Sequence, residues 1–189
     1  MIPLGSPLPA FALPDTEGVV IRAGAHDAAR GLLVMFICNH CPFVIHLRSA
    51  LAAFAEDYLP RGLAIIAISS NDAESYPQDG PEEMKAERAA AGYHFPYLYD
   101  ESQEVALAFG ARCTPDFFLY GPPRGGSRRL LYRGEFDDSR PGNGRPVTGD
   151  SLRAACDAVL AGEAVAGEQR PSLGCNIKWR PGQSPEEQL

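Results

Sequence analysis

Two apolar runs of strand length, separated by one segment of helical period, constrain this chain more than any other feature. Gly31 to Cys38 (GLLVMFIC) and Leu63 to Ser69 (LAIIAIS) are continuous apolar stretches with β-branched members, the pattern of central strands buried on both faces. Between them Val44, Leu47, Leu51, Phe54 and Tyr58 recur at helical spacing and predict a helix over about 42–59 that packs by one face. Pro60 and Gly62 stop it. Strand, helix, strand is a βαβ unit, for which a right-handed crossover is the default.

The remaining elements extend an α/β chain. A more polar helix is predicted from Pro81 to Ala91, closed by Gly92, then a short strand at Tyr97 to Tyr99 and a short helix from Ser102 to Phe109 before Gly110. Asp116 to Tyr120 and Arg129 to Arg133 flank "GPPRGGS" and read as an antiparallel hairpin. Ala10 to Leu13 and Val19 to Arg22 suggest a smaller hairpin near the N-terminus. Leu152, Ala155, Cys156, Val159 and Leu160 mark a last amphipathic helix ending near Gly162. The expected division is one domain over 1–164, N-terminal extension included, and a tail over 165–189 that is rich in Pro and Gly.

The 189 residues are 45% hydrophobic and 22% charged, which suits one globular unit. The formal charge of −7, with Lys85 and Lys178 the only lysines, argues against nucleic-acid or anionic-membrane partners. Arg128-Arg129 is a short basic pair expected on a solvated hairpin. No apolar run approaches the ~20 residues of a membrane span. The first residues lack a basic region and are broken by Pro3, Pro7, Pro9 and Pro14, unlike a secretory signal, so a cytoplasmic location is expected. Five irregularly spaced cysteines in a reducing compartment point to catalytic or structural thiols rather than a disulfide framework.

The chemistry concentrates in Cys38-Asn39-His40-Cys41-Pro42, where the first central strand meets the helix. Open α/β sheets place their sites at this carboxyl edge, and Pro42 suits a first helical turn, where its missing N–H costs nothing. The spacing is compatible with a metal site, a redox disulfide or a peroxidatic thiol. Metal binding would draw on Cys38, His40, Cys41 and His46, but no second CxxC or HxxxH follows, and no metal or other cofactor is expected. Redox exchange needs one thiolate to attack and a second thiol to resolve. This reading makes Cys38 the exposed nucleophile, steadied by the helix N-terminus and by protonated His40, and Cys41 the less accessible resolver.

A βαβ unit with CxxC at the helix start, followed by Cys113-Thr114-Pro115 before DFFLY, resembles the thioredoxin fold. That resemblance implies a central mixed sheet flanked by helices and a cis-proline at Pro115, with the Thr114 backbone free to pair with an extended substrate strand. More narrowly, "CNHCPFV", "RCTPDFFLY", "DDSRPGNGRPVTG" and "RPSLGCNIKW" are similar to peroxiredoxin-like proteins related to alkyl hydroperoxide reductase and thiol-specific antioxidant. The implied activity is a thiol–disulfide oxidoreductase, with a peroxidase acting through Cys41 as the alternative. The implied partners are protein or small-molecule disulfides or peroxides and a thiol reductant of thioredoxin or glutathione type. The oligomeric state stays open.

The departures matter as much. Ile37 stands where thioredoxins carry Trp, and Leu32 where they carry a buried Asp. Against the peroxiredoxin pattern, Cys41-Pro42 fits, yet Cys38 occupies the threonine position and no Pro lies in Leu33 to Ile37. Arg112 and Arg140 are candidate activating arginines that also suit a surface. Cys113 and Cys175 are candidate additional redox thiols, the latter if the tail folds back. Cys156 reads as buried and structural, His26 and His94 as solvated or core residues, and Asp137-Asp138 with Arg140 as a solvated loop.

Overall fold

The computed structural model describes residues 2–185. Its five-stranded sheet runs in the order β5-β4-β3-β7-β8. Strands β3 (Gly31–Phe36), β4 (Leu63–Ser69) and β5 (Tyr97–Tyr99) are parallel neighbours, while β7 (Asp116–Tyr120) is antiparallel to β3 and to β8 (Leu130–Gly134). An N-terminal hairpin joins β1 (Ala12–Pro14) to β2 (Val20–Arg22). The α/β expectation with a mixed sheet and an N-terminal hairpin therefore holds, with strand ends shifted by a residue or two.

The apolar runs are continuous because both faces of the sheet are covered. On β3, Leu33 and Met35 face a cluster built from α1 (Pro42–Tyr58), α2 (Pro81–Ala91) and α4 (Asp150–Ala161). Leu32, Val34 and Phe36 face the opposite cluster, filled by α3 (Glu104–Phe109) and by Phe11 and Leu13 of the N-terminal segment. Alternation by two along a strand thus feeds two cores at once. Leu32, the position where a thioredoxin carries a buried acid, is one of these core contacts.

Two expectations fail on burial. Arg128 is only 1% exposed, because its guanidinium donates to the carbonyl oxygens of Gly121, His26 and Ala29 at 2.6, 2.6 and 2.9 Å. Asp137 is buried rather than solvated, since its carboxylate accepts from the amides of Ser139, Thr148 and Gly149 and organises the long loop before α4. The tail, whose order the sequence leaves open, packs back onto the domain over part of its length. It hydrogen-bonds beside β8, through Glu135 N to Arg170 O, and reaches a short strand β9 (Cys175–Asn176).

Candidate active site

The strand-to-helix junction forms as the sequence predicts. β3 ends at Phe36, and Cys41 is the N-cap of α1 in extended conformation, with Pro42 in the first turn. Cys41 O accepts the first helical bond from Ile45 N at 2.9 Å. Across from it, β6 (Cys113–Thr114) precedes a cis Thr114–Pro115 bond. Thr114 touches both motif sulfurs: Cys38 Sγ lies 3.3 Å from its Oγ1, and Cys41 Sγ lies 3.1 Å from its carbonyl oxygen. The structure therefore brings Cys38, Cys41 and Thr114-Pro115 together.

Accessibility and charge differ from the sequence reading. Cys38 is not exposed; it and Cys41 are 2% and 0% accessible. The two thiols interact, and their surroundings act on them in opposite directions. Cys41 is pulled well below the ordinary thiol range, first by the bond from Cys38 and then by Cys175, Thr114 and the Val44 amide, against the opposing effect of burial. Cys38 is pushed up by that same bond, by burial and by the negative charge of Asp79. The free N–H groups of the helix start lie at Cys41 and favour negative charge on that sulfur. One contact works against it, because only the protonated Cys41 thiol can donate to Thr114 O.

His40 does not serve Cys38 in the expected way. Its Nδ1 lies 2.5 Å from Asp79 Oδ2, so the imidazole pairs with a carboxylate that is completely buried. Asp79 also accepts from Asn39 N at 2.8 Å, His40 N at 3.3 Å and Asn71 Nδ2 at 2.8 Å, which anchors the CxxC turn to the turn before α2. The His40 ring stacks on Tyr76, and Tyr97 donates to Asn39 Oδ1 at 3.0 Å. Asp79 is the residue that sequence reasoning missed. Its only local mark is a Pro-Gln-Asp-Gly turn, and nothing in that turn signals contact with a motif about forty residues earlier. The donor atoms of Cys38, His40 and Asp79 lie within 4.8 Å of one another, whereas His46 turns away to Ser139 Oγ at 2.8 Å.

The other candidates separate. Cys113 sits beside the site with its thiol pushed up to about 12 by burial. Cys175 is half-buried, raised to about 11 by burial and by its bond with Cys41, and faces that sulfur. Cys156 is fully buried in the main core, as expected. Arg140 is committed to Glu135 and to the Asp137 and Ser139 carbonyls, and Arg112 is exposed. The Thr114 backbone, expected to be free, is paired in register with Cys175 of the chain's own tail.

Residues 4–129 match the AhpC/TSA family. The chain belongs to that family. The fold is thioredoxin-like. A crystal structure of a hypothetical protein from Sinorhizobium meliloti 1021 is 54% identical with a TM-score of 0.92, covering 96% of this chain and 97% of that one. A Mycobacterium tuberculosis protein named "Putative peroxiredoxin" is 28% identical over 107 residues, which are 57% of this chain and 63% of that protein. The match thus spans less than two thirds of that relative. A thiol:disulfide interchange protein of the thioredoxin family from Chlorobium tepidum TLS shares the fold, with a TM-score of 0.61 at 14% identity over 85% of this chain and 99% of that one.

Proposed function

We propose that this chain is a dithiol–disulfide oxidoreductase in which Cys38 and Cys41 cycle between thiol and disulfide, with Cys41 rather than Cys38 carrying the attacking charge. The observation that supports it is the pair of buried sulfurs at a helix N-terminus, both touching Thr114, with Cys41 pulled below the ordinary thiol range. The Cys41 thiolate attacks one sulfur of a substrate disulfide, the substrate S–S bond breaks, and the departing sulfur leaves as a thiolate. Cys38 then loses its proton to that leaving group and attacks Cys41 Sγ. The Cys38–Cys41 bond forms, and the second substrate sulfur is released. A reduced thiol system of thioredoxin or glutathione type in a reducing compartment would restore the pair. Because a stabilised thiolate favours the reduced form, the couple should be more oxidising than the thioredoxin potential of about −270 mV.

Insulin-disulfide reduction tests the reading with single variants. Cys41→Ser should abolish turnover, and Cys38→Ser should leave a trapped mixed disulfide on Cys41 without turnover. Undiminished reduction by either variant would sink the assignment. A second reading, hydroperoxide reduction through Cys41, draws on the same low-lying thiol and on Cys41-Pro42. Breaking an O–O bond calls for donors aimed at the leaving oxygen, and of the two arginines considered for that task Arg140 is committed to Glu135 and to backbone carbonyls while Arg112 is exposed. Stopped-flow peroxide consumption discriminates; rapid saturable loss of peroxide would favour this second reading.

A further inference from the structure

The edge of β6 is already occupied by an extended strand that carries a cysteine. Cys113 pairs with Asn176 and Thr114 with Cys175, antiparallel, and Ile177 N donates to Arg112 O at 3.1 Å. Residues directly opposite on an antiparallel pair project side chains to the same face. Thr114 Oγ1 reaches Cys38 on that face, so the register delivers Cys175 toward the same sulfurs, where it and Cys41 influence each other's ionisation. Immediately before it, a Cβ on Gly174 would stand 2.0 Å from Thr114 O. Only glycine allows this approach. Buried Ile177 then anchors the strand in the core behind α3.

We infer that residues 174–177 are a tethered substrate strand: docked, they hold Cys175 against Cys41 and close the site, and released, they leave an edge shaped for an extended Gly-Cys segment of another chain. The inference rests on reading Cys38 and Cys41 as a redox pair. In the oxidised protein, deprotonated Cys175 attacks Cys41 Sγ. The Cys38–Cys41 bond breaks, Cys41–Cys175 forms, and the electron pair leaves on Cys38, which takes the proton that Cys175 gave up. There is no net oxidation, so the internal exchange stores the disulfide across the tail.

Two readouts on the full chain need no external turnover. In the reduced protein, iodoacetamide should modify Cys41 slowly, and Gly174→Val should accelerate it by about tenfold or more by weakening the docked strand. Cys175→Ser should keep the slow rate, because its backbone still docks. An unchanged rate in Gly174→Val overturns the inference. If that variant does not fold by circular dichroism, Ile177→Ser replaces it under the same criterion. After one equivalent of diamide, which takes two electrons and two protons from a thiol pair, peptide mapping of the wild type should find a Cys41–Cys175 bond. A Cys38–Cys41 bond alone overturns it. With a released strand, a peptide disulfide with Gly before its cysteine should be reduced faster than one with Val; equal rates overturn the Gly-Cys preference. No reduction of any disulfide by any variant would instead count against the proposed function, and the alkylation and mapping results would still decide the strand.

Discussion

At the residue scale, the site is governed by who holds a charge and who neutralises it. His40, partly exposed, pairs with the buried Asp79, so the positive charge expected beside Cys38 is matched by a carboxylate that opposes ionisation there. Cys41, at the helix start, is the sulfur whose ionisation is favoured. Asp116, immediately after the cis bond, is a second buried acid, and its carboxyl is pushed up to about 6 by burial. Its Oδ1 has no hydrogen-bond partner. The folded pKa of this acid lies above its ordinary 3.8, so the folded protein holds the proton longer than the unfolded chain. Below 3.8 both states are protonated and there is no cost. As pH rises through the window from 3.8 to about 6, stability falls, and above it the full cost remains. Asp116→Asn should therefore gain relative stability with rising pH, on the order of 3 kcal/mol at pH 8 compared with pH 4. Urea midpoints at the two pH values check this, and a constant difference between variant and parent would refute it.

At the element scale, the strands and helices were legible because each carries its own periodicity. Both central strands and the helix between them follow from apolar runs and spacing, and Pro42 and Gly92 mark a start and a stop that the structure keeps. What the sequence hid were partnerships between elements. Arg128 looks like half of a surface pair, yet it ties the β7–β8 hairpin, at Gly121 O, to the turn before β3, at His26 O and Ala29 O. No local pattern distinguishes an arginine that finds carbonyls a hundred residues away from one in water. Asp79 and Asp137 were hidden for the same reason. Arg128→Ala should cost about 2–4 kcal/mol, since it strands buried acceptors. Arg128→Lys should recover little, because three carbonyls in different directions match a planar fork better than a single ammonium. Thermal denaturation of the two variants checks it; full rescue by Lys would reduce the role to charge alone.

At the scale of the whole molecule, the tail joins the two ends of the active-site edge. The sequence placed Cys175 near the site only on the condition that the tail folds back, and it offered no way to see what would hold it. Gln103 is that hold. It is buried with a positive φ of 64° at the entry to α3, its Nε2 donates to Ser70 O and Lys178 O at 2.6 and 2.9 Å, and its Oε1 accepts from Arg180 N at 2.8 Å. One side chain therefore clamps residues just past the tethered strand to the loop after β4, where Asn71 Oδ1 also accepts from Lys178 N and Asn71 Nδ2 reaches Asp79. The tail and the His40–Asp79 pair consequently share a single hydrogen-bonded frame. Gln103→Ala removes three bonds from that frame and should cost about 2–3 kcal/mol. The loss should not be spread evenly. Hydrogen exchange should speed up at the amides of Ile177, Lys178 and Arg180, while those of α1 and α4 stay protected, because local opening draws on the least supported segment first. Uniform acceleration across the sheet and helices would mean that Gln103 supports the core as a whole rather than the strand that reaches Cys41.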